Sequence, residues 1–161
     1  MTAPKKKNLP WWGVVLLSPV IVAVVPLAIF ALVLYVVVSA FLYVAIWLLW
    51  CSRGKDVLFV YSDSPVWHAY LEAQVLPKIA DRAIILNWSE RKKWSKMSLA
   101  YSVFTHFGGY QQFNPLGIVF SPWRRAQVFR FWQAFRDFKH GHDEALKKMQ
   151  SDFLHALAEK A

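Results

Sequence analysis

The sequence predicts an α/β protein in two parts: an N-terminal transmembrane hairpin or single span, then a small mixed sheet with flanking helices. Three observations carry this expectation. No formally charged residue lies between Asn8 and Ser52. Two apolar strings, Val57–Tyr61 and Ala83–Trp88, are separated by a segment of helical period, and a third, Leu116–Phe120, is followed after a short turn by an alternating one. Residues 1–8 read as a basic tail, 9–50 as a membrane anchor and 51–161 as a cytosolic α/β domain.

Hydrocarbon requires an uncharged run, because an unpaired charge there costs several kcal/mol. As one straight helix, the run from Leu9 to Trp50 would reach about 63 Å, twice the ~30 Å thickness of the bilayer core. Pro10, Pro19 and Pro26 fall in its first half, each removing a backbone donor. Residues 27–50 contain no proline and end with Trp47 and Trp50, residue types that favour the membrane interface. This second half reads as a span. Residues 11–25 would make only about 22 Å of helix, which favours a hairpin turning near Pro26. The flanks agree, since Lys5, Lys6 and Lys7 precede the run and Arg53 and Lys55 follow it, and a hairpin keeps both basic clusters on the cytoplasmic side. One long tilted span is the other arrangement. Cys51 is the sole cysteine and allows no internal disulfide. At the membrane surface its thiol is either inert or open to S-palmitoylation.

In the following domain, VLFVY at 57–61 has the continuous apolar character of a strand covered on both faces. Ser62, Asp63, Ser64 and Pro65 form a polar turn suited to starting a helix. Trp67, Leu71, Val75 and Ile79 then recur every four positions, and Pro77 bends the helix end. Ala83–Trp88 reads as a second strand parallel to the first, because a helix separates them. From Met97 to Phe107 a helical face ends at Gly108 and Gly109. LGIVF at 116–120 is the third strand. Gln127–Phe131 reads as a fourth, antiparallel to the third, with a helix through the same residues as its rival. Leu146, Met149, Phe153 and Leu157 line one side of a terminal helix whose first turn holds Asp143 and Glu144. The domain is long enough to fold alone in water from about Lys55.

The order β, α, β, α, β, β, α over residues 56–160 resembles the thioredoxin-like fold. YSDSPVW stands where that family carries its redox motif, and FNPLGIVF resembles its proline-led third strand. The resemblance implies a cis Asn114–Pro115 bond. It does not imply redox chemistry, because the family's Cys-x-x-Cys is absent from Ser62–Pro65. A parallel sheet of nucleotide-binding type, with the Gln127 segment helical, is the alternative fold.

Open α/β folds place their sites at strand ends, where Asp63, Glu90, Asn114 and Arg124 occur, with Arg125 beside the last. Paired carboxylates could manage a proton and arginines could clamp a phosphate. The same residues also suit a helix cap, a local ion pair and a solvated turn. His140, His142 and Asp143 lack a third independent ligand and read as a turn, so no metal or other cofactor is expected. His68 and His106 fall in the proposed helices without a partner the sequence identifies.

Charge is more informative. The chain has 19 Lys and Arg against 10 Asp and Glu, and between Arg91 and Lys139 nine basic residues face Asp137 alone. Tethered at the membrane, Arg91, Lys92, Lys93 and Lys96, with Trp94 as an interfacial anchor, would form a lipid-facing surface for anionic headgroups. No nucleic-acid motif accompanies the charge. The expected function is therefore a non-catalytic, membrane-anchored interaction or scaffolding protein with lipid and a membrane or cytosolic protein as partners. The alternative is a small membrane-associated enzyme acting on a phosphorylated or lipid-linked substrate.

Overall fold

The computed structural model describes residues 11–109, 114–122 and 124–159, the side chains of 11–21 excepted. Lys5, Lys6, Lys7 and Pro10, which entered the sequence argument, lie outside them. The chain divides into two compact units, residues 1–41 and 42–161.

The first unit contains most of α1 (Trp11–Leu49), one helix running through Pro19 and Pro26. The expected hairpin is therefore not formed. Pro26 lies among Val24, Val25 and Leu27, all exposed. A turn there would strip backbone groups of their partners in apolar surroundings, whereas a helix loses only the two donors that proline lacks. The segment Val22–Arg53 is long and apolar enough to cross a membrane.

The second unit begins on α1 itself, at Leu42. After α1 a 3₁₀ turn, Cys51–Arg53, ends at Gly54, whose φ of 72° and N–H bond to the Cys51 carbonyl need the left-handed region that glycine enters freely. Next come β1 (Val57–Tyr61), α2 (His68–Tyr70), a π-helical turn over Leu71–Val75, α3 (Leu76–Ile79) and β2 (Ala83–Asn87). The wide turn immediately precedes Pro77, whose ring cannot fit beneath a regular α-turn. A 3₁₀ segment, Trp88–Lys93, leads to α4 (Leu99–Phe107), capped by the Ser98 hydroxyl, which accepts the Tyr101 N–H. Last are β3 (Leu116–Val119), β4 (Gln127–Arg130), α5 (Trp132–Lys139) and α6 (Glu144–Ala158).

The sheet order is β2-β1-β3-β4, with β1 parallel to β2 and β3 antiparallel to both β1 and β4. Asn114–Pro115 is cis. A strand at Gln127–Arg130 rules out the helical alternative for that segment, while the helix signal a few residues on belongs to α5. The other expected spans shift modestly. Met97, 96% exposed, precedes α4, and β2 is an edge strand with Ile85 39% exposed, so it is not covered on both faces as the first strand is.

Alternation along β1 divides the core in two. Val57 and Phe59 face a cluster with Leu71, Val75, Ile79, Phe135 and Phe153 from the π turn, α3, α5 and α6. Leu58 and Val60 face the other side, where Leu42, Ile46 and Trp50 of the α1 end and turn pack with Val103, Phe104, Leu116, Ile118 and Phe120. Side chains on both faces explain why β1 is uniformly apolar. On the first face a Cβ at Gly117 would stand 2.8 Å from Cε2 of Phe153, a buried ring held between Phe59, Phe129 and Phe131. Gly117→Ala should cost about 1 to 3 kcal/mol by overpacking. A chemical-denaturation midpoint equal to that of the parent would refute this account of Gly117.

Candidate functional site

The C-terminal ends of β1 and β2 bring Asp63 together with groups the sequence reading did not combine. The Asp63 N–H donates to Ser89 Oγ at 3.0 Å, Asn87 Nδ2 donates to Asp63 Oδ1 at 2.7 Å, and the Ser89 N–H donates to Asn87 Oδ1 at 2.9 Å. These three bonds tie the loop after β1 to the 3₁₀ segment after β2. His68, the first residue of α2, stacks on Tyr61 with ring centroids 6.0 Å apart. Its Nε2 lies 3.5 Å from Glu72 Oε1. Its Nδ1 is 3.8 Å from Asp63 Oδ1, too long for a hydrogen bond, and makes none among the described residues. Burial, then the carboxylates of Glu72, Asp63 and Glu90, push the Tyr61 hydroxyl above its ordinary pKa. Glu90 thus acts on the same strand end, although its carboxylate is taken by Lys93 Nζ at 2.7 Å.

Asn114 sits beside this end too, since the pairing of Val60 with Leu116 carries the residues before β3 toward those after β1. Its Oδ1 is buried without a hydrogen-bond partner among the described residues. Arg124 does not join the group. It follows β3 at the opposite end of the strands, where Val119 pairs with Val57, and its Nη1 lies 3.4 Å from Glu159 Oε2. The four expected candidates therefore do not converge: three share one strand end and the fourth occupies the other. Asp143 pairs with Lys147 at the start of α6, which holds its carboxyl below the usual range, and His140 and His142 are exposed. Among the described residues no group of three His, Cys, Asp or Glu side chains is placed to hold a metal ion.

Arg91, Lys92, Lys93 and Lys96 are exposed after β2, at the strand end remote from the one Trp50 adjoins through Lys55. Trp94, expected as their interfacial anchor, is less exposed than they are. It is half-buried and packs edge-on against Trp88 and Phe104, at 5.7 and 6.0 Å between centroids.

A second feature lies at the β3 to β4 turn. An apolar cavity of about 480 Å³ is lined by Tyr43, Val44, Ile46 and Trp47 of α1, by Cys51, and by Phe120 to Pro122, with Arg124 and Arg125 also on its wall. Tyr43 fastens the turn to the helix: its hydroxyl accepts the Ala126 N–H at 2.7 Å, and its ring meets Phe107 and Phe120 edge-on.

No family model, curated protein or solved structure matches the chain. The site's chemistry must accordingly be read from its own residues. The strand-end group offers an imidazole between two carboxylates, with Asp63 already engaged by Asn87 and Glu90 by Lys93. The cavity offers an apolar wall beside two guanidinium groups. Sequence reasoning found Arg124 and Arg125 but missed Tyr43, Val44 and Trp47, because within a uniformly apolar run no period marks the side that faces protein.

Proposed function

We propose that the protein is a membrane-anchored, non-catalytic interaction or scaffolding protein whose domain has a thioredoxin-like architecture without thiol chemistry. The observation that carries this reading is the burial of Leu42, Ile46 and Trp50 in the sheet's core: the apolar helix that can cross a membrane ends as part of the domain. A domain built this way is held at the bilayer surface. The element order and the proline ahead of β3 support the thioredoxin-like reading. Ser62 to Pro65, in the position of the family's redox motif, hold no thiol, and Cys51 has no second cysteine to pair with. We place the domain on the cytoplasmic side, where Arg53 and Lys55 directly follow the span. The exposed Arg91, Lys92, Lys93 and Lys96, at the strand end away from the helix, then supply a basic surface for an acidic face of a membrane or cytosolic protein rather than the lipid-facing surface the sequence suggests.

One observation favours the enzymatic alternative, action on a phosphorylated or lipid-linked substrate: His68 lies between Asp63 and Glu72 with an unbonded Nδ1. A photoreactive side chain at Lys92 of the full chain in native membranes separates the readings. The expected result is a discrete cross-linked protein adduct that persists in His68→Gln. Phospholipid or phosphomonoester turnover by the reconstituted chain, abolished by His68→Gln, would replace this proposal with the enzyme.

A further inference from the structure

We propose that the cavity beside the end of α1 binds one anionic glycerophospholipid from the bilayer, with an acyl chain against Val44, Trp47 and Phe120 and the phosphate on Arg124 and Arg125. The inference deepens the membrane-anchored reading and rests on it.

The cavity's volume of about 480 Å³ lies within the ~300 to 1,000 Å³ typical of small-molecule sites. Its wall divides chemically. Val44 and Trp47 are each 56% exposed and belong to the segment able to span a membrane, so the apolar side of the cavity continues into the helix surface that lipid tails contact. The same wall also carries two consecutive arginines, Arg124 and Arg125. A water-soluble anion would leave the apolar wall bare, and a plain hydrocarbon would leave the guanidinium groups unanswered. An amphiphile with a negative head satisfies both.

The arginines are not equivalent. Arg124 is steadied by Glu159, which offsets part of its charge. Arg125 forms no ion pair among the described residues and is exposed next to an apolar surface. Net positive charge therefore remains at the rim, and guanidinium forks match phosphate oxygens in pairs. A zwitterionic headgroup would bring its own cation against Arg125, so an anionic lipid is preferred. Backbone on both sides of Arg125 is held without lipid: the Ala126 N–H by Tyr43 Oη at 2.7 Å and the Arg124 N–H by the Ser121 carbonyl at 3.3 Å. Backbone groups already held lower the ordering cost of binding. Cys51 also lines the cavity and, as the sole cysteine, gives a native reporter of its occupancy.

The test uses the full chain in detergent, titrated with phosphatidylglycerol or with phosphatidylcholine of the same acyl chains. Retained lipid is read by native mass spectrometry and Cys51 shielding by its rate of alkylation. The expected result is one retained phosphatidylglycerol and slowed alkylation, with phosphatidylcholine binding at least about tenfold weaker. Arg125→Gln and Arg124→Gln/Arg125→Gln should lose that preference, whereas Arg91→Gln/Lys92→Gln/Lys93→Gln/Lys96→Gln should keep it. Val44→Trp, which fills the cavity and leaves both arginines, should abolish the slowing. Equal retention of the two lipids by the parent chain, or an unchanged preference in Arg124→Gln/Arg125→Gln, would overturn the site. Alkaline carbonate extraction of the parent from native membranes tests the anchor separately: release of the chain defeats the membrane-anchored reading, while lipid preference in detergent still decides the cavity.

Discussion

A fragment beginning at Lys55 is expected to lose cooperative unfolding, whereas one beginning at Leu42 keeps it in mild detergent. The difference lies in Leu42, Ile46 and Trp50, all buried, with Ile46 only 1% exposed. Burying a large apolar side chain contributes about 1.5 to 3 kcal/mol, so removing three withdraws roughly 5 to 9 kcal/mol. A domain has only about 5 to 15 kcal/mol in total. The loss also uncovers Phe120, which packs edge-on against Trp50 at 6.3 Å, and the side chains of Leu58 and Ile118 in the same cluster. Such an apolar patch would drive association in water. Detergent is needed for the longer fragment because Val44, Trp47, Leu48 and Leu49 are exposed on the same helix. Thermal unfolding followed by near-ultraviolet circular dichroism compares the two. Equal midpoints would mean that the helix end is an accessory to the domain rather than part of its core, and would restore the boundary near Lys55 that the sequence suggests.

That boundary lies where the sequence is least legible. Between Leu9 and Trp50 almost every side chain is apolar, so the four-residue spacing of Leu42, Ile46 and Trp50 looks like that of any other face, and lipid-facing cannot be told from protein-facing positions. The hairpin failed for a related reason. Proline signals a break in water, where freed backbone groups find solvent, whereas in hydrocarbon a helix of this composition would have no such partner and would gain nothing by breaking. In the polar part of the chain, contrast restores legibility. β1, β2 and β3 fall where apolar strings meet Ser, Asn, Asp or Pro, and the split of the Gln127 segment into strand then helix reflects two periods that are both present. Of the candidate site, Asp63, Glu90 and Asn114 share one strand end, and Arg124 lies at the other. His68 and Glu72 joined them through the helix that follows, a three-dimensional proximity with no signature in spacing.

The second large effect should come from Asp56, a charged side chain buried at the start of β1. Arg82 meets it as a fork, Nη2 to Oδ2 at 2.6 Å and Nε to Oδ1 at 3.2 Å, while its Nη1 donates to the Leu157 carbonyl at 2.9 Å. The backbone repeats the link, since the Arg82 carbonyl accepts the Asp56 and Val57 N–H groups, and the Phe120 N–H donates to the Asp56 carbonyl. One pair thus joins the first residues of β1, the approach to β2 and the end of α6. Asp56→Ala removes the counter-charge and both side-chain acceptors together. A fully buried pair broken on one side costs about 3 to 5 kcal/mol, and because the Arg82 side chain is 35% exposed, solvent reduces the expected loss to roughly 2 to 4 kcal/mol. Arg82→Lys should fall between parent and Asp56→Ala, for an ammonium cannot reproduce the fork or reach Leu157 at the same time. Denaturant unfolding of the full chain in detergent, with the double variant Asp56→Ala/Arg82→Ala closing the cycle, gives the coupling directly. A coupling below about 0.5 kcal/mol would mean that the backbone bonds alone hold this junction and that the ion pair adds only what an exposed surface pair does.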